Sequence, residues 1–596
     1  MKSVSYGFVQ IKNRCIEIFI RNSTSFEEKF NFSKDYSPKE ICEIIYSFAE
    51  KNQTKIGALA IVSDNFDERF AEYLWKDLDI VPTFISFEDF EKVGKENLIQ
   101  KIRSNFKEDH SDEIITALGK VNVHNFLISL DKIKESALKE HVKLLEKLLE
   151  KFKEMKIKVG FFNSTVSGGG VALMRHSLIR LCKLLNLDIN WYVVSGNEEI
   201  FKITKQKIHN VLHGLYHEEF RLTSKDIQDF EKWTDENVKM FEDLFRELNV
   251  CIIDDPQPSG LVKHIKKINP DAKIIYRSHT QLDTQLIDEK SKVQHDTWNF
   301  IYNNLKDIDL FVSHPIKHFV PKNVEKKKVI FMPPTTDPFD GLNKEIDERL
   351  FSYYFEFFNT ILDNSGQKPM EYNEEYFIQV ARFDPAKGIF DLIEAYRLFF
   401  EKINQASSSP IPSLVIVGNG AYDDPEGLMI YNQVLDNLKE EKYFSIKGRV
   451  RVAMVPFKDQ LLNVLIRKSF VSLQLSHKEG YEVKVTEALM KGKPVITYDS
   501  GGLPLQVKDN INGFVVTCLD TKKVSEHMFN LYQDKELHKK MSENALNHYD
   551  KNISTIKNLI NWLYLTIKIS EDKNFRGNFK DIDELIEEDF LYRCSS

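Results

Sequence analysis

The sequence predicts an α/β protein with two parallel-sheet domains that follow an N-terminal α/β extension. Short apolar runs of strand length alternate with segments long enough for helices, which is the βαβ pattern of a parallel sheet. Several of these runs end in turns that carry glycine or charged side chains. A charged and aromatic helical segment, residues 343–370, divides the pattern into two halves.

The extension, residues 1–135, reads as strands over residues 6–20 and 56–62 and a helix over Pro38–Lys51. A charged helix over residues 137–155, with leucines three and four apart, then leads into a buried strand at 157–162. That strand opens the first main domain, residues 136–342.

A run of three glycines, Gly168, Gly169 and Gly170, follows this strand and precedes an amphipathic helix. Backbone without side chains lets an anion approach closely, and the first N–H groups of a helix favour negative charge. The spacing is neither that of a dinucleotide-binding loop nor that of a P-loop. A flexible turn remains open beside an anion- or sugar-phosphate-binding loop.

Three more strands are predicted at residues 250–254, 273–276 and 310–313. Because ligands of open α/β sheets bind beyond the carboxyl ends of the strands, the residues that follow are candidates. These are Asp255 after one strand, and Arg277 and His279 after the next. Their alternation predicts that Arg277 and His279 lie on one side, as a permanent cation and a titratable donor.

The second main domain, residues 371–555, repeats this architecture. A strand over Tyr376–Val380 leads to a turn with Arg382 and Lys387 and then a helix over residues 388–403. A guanidinium and an ammonium that bracket one turn can hold a phosphate from two sides. Further strands at 414–417 and 495–498 end at glycines, which are Gly418, Gly501 and Gly502.

Two carboxylates eight residues apart, Glu479 and Glu487, stand where the strand 471–476 gives way to a helix predicted over 481–491. At a strand end such carboxylates can accept hydrogen bonds from sugar hydroxyls. Solvated surface glutamates are the alternative. After residue 519 the pattern turns helical, and residues 556–596 are predicted as a helical tail.

Composition excludes several classes of function. With 82 basic and 90 acidic residues among 596, the net charge of −8 offers no basic field for nucleic acid or an anionic membrane. The N-terminus has no unbroken apolar stretch of a signal peptide, and no span of membrane length follows. Six scattered cysteines show no metal-ligand spacing, so we expect a cytoplasmic protein without a metal.

Together, the Glu479-x7-Glu487 pair, Arg382 with Lys387, the glycine loop and His279 resemble the retaining glycosyltransferases of the GT-B fold. More narrowly, the chain resembles the fungal-type retaining trehalose phosphorylases and the nucleotide-sugar-dependent trehalose synthases. The resemblance extends over about residues 160–520 and is carried by IIDDPQPSGL, IIYRSHTQLD, FVSHPIKHFVP, FMPPTTDPFDGLNK, QVARFDPAKGIFDLIEAY, VGNGAYDDPEG and LQLSHKEGYEVKVTEAL.

The resemblance implies two Rossmann-like domains that face each other across a cleft and a reversible reaction there. Trehalose and inorganic phosphate would give α-glucose 1-phosphate and glucose, with retention at the anomeric carbon and without a cofactor. By similarity, Arg382 and Lys387 neutralise the phosphate, Glu479 holds glucose hydroxyls, and His279 lies near the reacting carbon. Gly169 and Gly170 would add backbone donors. From the habit of the family we expect a homodimer.

Two alternatives stay open. In nucleotide-sugar enzymes of this fold the glutamate that corresponds to Glu487 typically contacts the ribose, so a trehalose synthase that takes glucose from UDP- or ADP-glucose is one. A sugar sensor without turnover is the other. Intact Arg382, Lys387, Glu479 and His279 count against the sensor.

Overall fold

The computed structural model describes residues 3–12, 15–21, 25–31, 37–65, 67–105, 114–115, 118–123, 127–166, 169–216, 218–406, 410–419 and 427–591. Gly168, a candidate in the glycine loop, lies outside these residues. The described strands form sheets of five, seven and six strands and a small hairpin.

The N-terminal extension contains a mixed five-stranded sheet in the order β3-β2-β1-β4-β5. Helix α1 begins at a capping box in which Ser37 and Glu40 exchange hydrogen bonds. Apolar clusters cover both faces of the sheet. The elements are β1 Ser3–Lys12, β2 Cys15–Arg21, β3 Ser25–Asn31, α1 Pro38–Lys51, β4 Thr54–Val62, α2 Glu68–Lys76, β5 Val81–Ile85, α3 Phe87–Val93, α4 Lys95–Asn105, β6 Ile114–Ile115 and β7 Val121–Asn122.

The first main domain has a parallel sheet in the order β13-β12-β11-β10-β8-β9, buried between helices on both faces. Its elements are α5 Leu130–Ser136, α6 Lys139–Met155, β8 Val159–Asn163, α7 Gly170–Leu184, β9 Ile189–Val193, α8 Glu198–Phe201, a π-helix Lys202–Asn210, α9 Ser224–Glu247, β10 Val250–Asp254, α10 Leu261–Ile268, β11 Lys273–Arg277, α11 Thr284–Ile287, α12 Val293–Asn304, β12 Leu310–Ser313 and β13 Val329–Phe331.

The second main domain has a parallel sheet in the order β16-β15-β14-β17-β18-β19, again covered on both faces. Helix α13 precedes it, inside the predicted connection 343–370. The elements are α13 Glu348–Asn364, β14 Tyr376–Val380, α14 Ile389–Ala406, β15 Ser413–Asn419, α15 Gly427–Asn437, β16 Val450–Val455, α16 Asp459–Lys468, β17 Val471–Gln474, α17 Lys484–Met490, β18 Val495–Tyr498, β19 Gly513–Val516, α18 Thr521–Gln533 and α19 Lys535–His548.

The C-terminal tail returns to the first main domain. It consists of α20 Thr555–Glu571, the short strand β20 Lys580–Asp581 and α21 Ile582–Leu591. Helix α20 packs against α6 and α7, and Trp562 meets Phe161 of β8 edge to face at 5.2 Å. Strand β20 adds in parallel to β13 and makes that sheet seven-stranded.

The predicted parallel sheet in each half is confirmed, with two local differences. The helix after Glu479 begins at Lys484 instead of residue 481, because Glu482 has a left-handed backbone with φ of 58°. Glu487 therefore lies in the first turn of α17. The tail is not wholly helical, because it contains the strand β20. This strand was not predicted, since two residues are too few to give a periodic signal in the sequence.

Seven short 3-10 helices supplement these elements, at Glu218–Phe220, Gln257–Gly260, Lys317–Phe319, Lys326–Lys328, Pro385–Lys387, Glu441–Tyr443 and Lys447–Arg449, among the described residues. In this same part of the chain no helix is both long and apolar enough to cross a membrane.

Candidate active site

A cavity of about 250 Å³ lies between the two main domains, where the carboxyl ends of their strands face each other. The first domain contributes the glycine loop and the turns after β10 and β11. The second contributes the turn after β14 and the loop after β17. Seven of the predicted site residues line this one cavity: Gly169, Gly170, Asp255, His279, Arg382, Lys387 and Glu479.

Lys387 forms the charged centre of the second domain's side. Its ammonium makes an ion pair with Glu479 and lies 3.1 Å from Oε2 of Glu482. Burial opposes the charge of Lys387, but the carboxylates of Glu479 and Glu482 outweigh it and hold the pKa of Lys387 above its ordinary value. Lys387 is therefore a permanent cation in the cavity wall.

Arg382 and Asp384 stand beside it in the turn after β14. Nη2 of Arg382 lies 3.7 Å from Oδ2 of Asp384, and the backbone N–H of Ala386 donates to Oδ1 of Asp384 at 2.8 Å. Burial alone would raise the pKa of Asp384, yet Arg382 and other nearby cations keep it below its usual range. An ionised Asp384 thus holds Arg382 at the mouth of the cavity.

Glu479 is the carboxylate whose charge is least favoured here. Burial raises its pKa above the ordinary value, with help from the neighbouring Glu482 and against the attraction of Lys387. Its backbone carbonyl packs on Gly501, which has a φ of 53°, and a Cβ at that glycine would lie 1.7 Å from the carbonyl oxygen. A Cβ at Gly502 would lie 2.6 Å from Tyr481. The loop that carries Glu479 therefore packs directly on Gly501 and Gly502, where a larger residue would displace it.

His279 is fixed from two directions. Its backbone N–H donates to Oδ1 of Asp255 at 2.7 Å, and its Nε2 lies 3.0 Å from Oδ1 of Asp254. Arg175 binds the same Asp254 through two hydrogen bonds of 3.0 and 2.7 Å. Burial lowers the pKa of His279, so the ring is neutral near pH 7, and Nε2 donates to the ionised Asp254.

Asp255 adopts a left-handed backbone with φ of 65°, which is strained for a residue with a side chain. Its Oδ1 accepts hydrogen bonds from the backbone N–H groups of His279 and Thr280. The strained aspartate therefore shapes the turn that presents His279 to the cavity.

The glycine loop forms part of the first domain's wall of the cavity. Gly169 is the N-cap of α7 and Gly170 its first residue. A Cβ built on either one would meet no atom within 4 Å. Their open backbone faces the cations of the second domain across the cleft.

Of the predicted site residues that the structure describes, five lie outside this cavity: Arg277, Gly418, Glu487, Gly501 and Gly502. Arg277 and Glu487 lie in buried networks. Arg277 is 1% exposed, and its Nη2 lies 3.4 Å from Nδ1 of His314. Arg277 therefore lies outside the cavity that His279 lines, although His314 contacts both residues. Glu487 is also 1% exposed and accepts from Thr336 at 3.0 Å and Lys484 at 2.9 Å.

A second cavity, of about 320 Å³, opens beside the first and shares Gly169, Gly170, Arg382, Lys387 and Glu482 with it. Gly418 lies in its wall. The N-terminal extension supplies another wall, with Tyr6, Lys55, Trp75 and Asp79. The N-terminal extension therefore forms part of the wall of a cavity that Arg382 and Lys387 also line.

The lining residues that the sequence analysis missed include three basic side chains from one stretch: Lys205, His209 and His213. They lie on the π-helix and in the turn of helix that continues it. Basic side chains spaced by four could have drawn attention to this stretch, since that spacing puts them on one helical face. A strand end and a glycine turn do precede this stretch, at Ser195-Gly196-Asn197 after β9, but Lys205 lies further along, inside the helix.

Among the residues that the structure describes, no group of three or more histidine, cysteine, aspartate or glutamate side chains is arranged to hold a metal ion.

Sequence and structure comparisons identify the proteins that this chain is similar to. The family described as "Trehalose synthase, N-terminal domain" matches residues 161–321, and "Glycosyl transferases group 1" matches residues 362–548. A trehalose phosphorylase of Pleurotus pulmonarius is 37% identical over 455 residues, which are 74% of this chain and 61% of that protein. The match thus spans about three fifths of the phosphorylase's length.

A trehalose synthase of Thermococcus litoralis is 33% identical over 405 residues, 68% of this chain and 88% of that protein. Among solved structures, an α,α-trehalose-phosphate synthase (UDP-forming) from Burkholderia vietnamiensis superposes with a TM-score of 0.53 at 10% identity, covering 70% of this chain and 99% of that one. These likenesses confirm the predicted GT-B fold with an N-terminal extension, and the chain belongs to the family of the trehalose phosphorylases and trehalose synthases.

Proposed function

We propose that the protein is a retaining trehalose phosphorylase, which converts trehalose and inorganic phosphate reversibly into α-glucose 1-phosphate and glucose. The observation that carries the proposal is the meeting of Arg382, Lys387 and Glu479 with His279, Gly169 and Gly170 around one cavity. The identity to curated trehalose phosphorylases supports it.

In the proposed reaction, phosphate lies against Arg382 and Lys387 and attacks the anomeric carbon from the face that the departing glucose leaves. The bond from that carbon to the glycosidic oxygen breaks while a bond to a phosphate oxygen forms. The phosphate proton passes to the departing oxygen. Donors arranged in advance around developing charge commonly supply the largest catalytic term.

The chain's own residues then have distinct tasks. Glu479, beside Lys387, accepts hydrogen bonds from hydroxyls of the transferred glucose. Neutral His279, held by Asp254 and Asp255, has Nδ1 left for a sugar hydroxyl, because Nε2 is engaged. The open backbone of Gly169 and Gly170 leaves room for a phosphate oxygen to approach the N-terminus of α7.

A trehalose synthase with a nucleotide-glucose donor is the second candidate. The cavity of about 320 Å³ beside the cation pair favours it, because a nucleoside attached to the phosphate would need room there. The position of Glu487 favours phosphorolysis, since Thr336 and Lys484 already engage both of its carboxylate oxygens.

One assay separates these readings. The purified protein is incubated with trehalose and phosphate, and then with glucose and either α-glucose 1-phosphate or a nucleotide glucose. Breakdown of trehalose that requires phosphate supports the proposal, whereas release of UDP or ADP without any response to phosphate overturns it. No turnover in any mixture would indicate a sugar sensor.

We further infer a cytoplasmic homodimer that acts on small sugars and phosphate without a cofactor. The thiols of Cys42, Cys182 and Cys251 are buried and free, which supports a reducing compartment. Light scattering after size exclusion tests the dimer.

A further inference from the structure

The π-helix Lys202–Asn210 directs a third cation into the candidate active site. Helices of this type are rare and occur frequently at functional sites. Lys205 is 4% exposed, lines the cavity of about 250 Å³, and has its ammonium 3.3 Å from Nδ1 of His209. A lysine ammonium with so little access to solvent requires an electrostatic reason for its position.

The charges in the cavity wall supply one. Its described lining contains the cations Lys205, Arg382 and Lys387 and the carboxylates Asp254, Asp255, Asp384, Glu479 and Glu482. On the second domain's side, Lys387 already contacts two carboxylates, and Arg382 lies near Asp384. That side alone offers two cations against three carboxylates, a poor setting for a phosphate that carries up to two negative charges.

A cation from the first domain would improve this balance, since that domain's own lining carboxylates already have partners: Arg175 for Asp254 and backbone N–H groups for Asp255. Three arginines of that domain near the site have other places: Arg175 is bound to Asp254, Arg277 lies beside His314, and Arg180 lines the adjoining cavity 3.9 Å from Asp337. Lys205 is the cation of that domain in the cavity lining, and it is among the charges that keep the pKa of Asp384 low. It thus lies close to the Arg382–Asp384 turn on the opposite side of the cleft.

We propose that Lys205 is a phosphate-binding residue that completes, from the first domain, the oxyanion site formed by Arg382 and Lys387. This assignment rests on the proposed phosphorolysis and adds to it that phosphate is held from both domains. Bound phosphate then links the two lobes, so that its binding favours the closed cleft.

His209 and His213 line the cavity beside Lys205. Since both rings are uncharged, Lys205 is the charged group among these three residues. Burial lowers the pKa of His209 well below its ordinary range and that of His213 to about 3. Both rings are therefore neutral near pH 7. His213 lines the same cavity, and its Nε2 is buried without a hydrogen-bond partner in the structure.

The test compares Lys205→Ala and Lys205→Arg with Lys207→Ala. Lys207 lies on the same π-helix but points away, in an ion pair with Asp226 at 2.6 Å. A lost charge-assisted hydrogen bond should raise the KM for phosphate about 10- to 100-fold in Lys205→Ala. Lys205→Arg should recover part of this, and Lys207→Ala should match the wild type. The KM for trehalose should change little.

Inorganic phosphate binding is measured separately, as the shift that phosphate causes in Tm. The shift should be present in the wild type and in Lys207→Ala and reduced in Lys205→Ala. An unchanged KM and Tm shift in Lys205→Ala, or a change confined to the KM for trehalose, overturns the role of Lys205 while leaving the proposed function. Absence of both phosphate turnover and the Tm shift in the wild type overturns the two together.

Discussion

The backbone N–H of Glu479 donates a hydrogen bond of 2.6 Å to Oε1 of Gln281, so that the two main domains meet at the proposed sugar-binding carboxylate. An ion pair of 2.5 Å between Lys478 and Asp283 lies next to this bond. His314 stacks on Tyr481 at 5.8 Å from the other side. The loop after β17 is thus positioned by the first domain as well as by its own.

Gln281→Ala should lower kcat/KM for phosphorolysis about 2- to 10-fold, the range that one neutral hydrogen bond represents. The loss arises because the N–H of Glu479 no longer has its cross-domain acceptor. Steady-state rates measure it. Asp283→Asn, which weakens the neighbouring ion pair, serves as the companion variant. A Gln281→Ala enzyme with wild-type kinetics would show that the second domain alone places Glu479.

Arg382→Ala and Lys387→Ala should each lower kcat/KM for phosphate about 100-fold or more, if these cations face the developing charge. Lys387→Ala should also impair folding, because it leaves Glu479 and Glu482 buried without their cation. The unfolding midpoint in urea is therefore measured for both. Arg382→Ala should lose less stability than Lys387→Ala, because Arg382 is more exposed and other cations still face the buried Asp384. Undiminished phosphate saturation in Arg382→Ala would remove that residue from the site.

Much of this site follows from strand-end turns that a sequence displays. Arg382, Lys387 and Glu479 each follow an apolar run, and strand ends of one parallel sheet meet at one edge. Arg277 shows the limit of the approach, because alternation places it beside His279 while the structure buries it beneath His314. Lys205 could not be found in this way, since a π-helix has no distinct sequence period. Packing between distant segments, such as β20 against β13, is likewise not encoded in local pattern.

Stability should fall as the pH falls from about 6.5, the ordinary pKa of histidine. The pKa of His213 is lowered to about 3, chiefly by burial, although Asp384 opposes the shift and Lys205, Lys387 and Lys478 add to it. Below pH 6.5 the unfolded chain binds the proton and the folded chain does not. The free energy of unfolding then decreases by up to about 1.4 kcal/mol per pH unit for this group.

His213→Asn removes that contribution, so the slope of stability between pH 6.5 and 5 should become shallower than in the wild type. Urea unfolding at closely spaced pH values measures the slope. His548 is exposed on the surface, so His548→Asn serves as the control variant. Equal slopes in the His213 variant and the wild type would contradict a neutral, buried His213.

Asp79 should anchor the N-terminal extension to the catalytic domains. It is 4% exposed, contacts Tyr354, and accepts hydrogen bonds from Lys344 at 2.6 Å and Gln460 at 3.0 Å. Asp79→Ala should cost about 3 to 5 kcal/mol, because it leaves the ammonium of Lys344 buried without its partner. Denaturant unfolding measures the loss. Asp79→Ala combined with Lys344→Met should recover part of it, and a double variant no more stable than Asp79→Ala would refute the ion-pair explanation.

Glu487→Gln separates a structural glutamate from one that binds a nucleotide. In the structure its carboxylate holds Lys484 and Thr336, so the neutral amide should destabilise the fold by about 1 to 3 kcal/mol, because the half-buried ammonium of Lys484 loses a charged acceptor. Under conditions where the variant is folded, its KM for phosphate should stay within about 3-fold of the wild type, because Glu487 lies outside the cavity that holds Arg382 and Lys387. The free energy of unfolding and the KM for phosphate are measured on the same preparation. Glu482→Gln is the comparison variant, because Glu482 contacts Lys387 directly. A stable Glu487→Gln protein that loses turnover only with UDP- or ADP-glucose would assign the carboxylate to a ribose and favour the synthase.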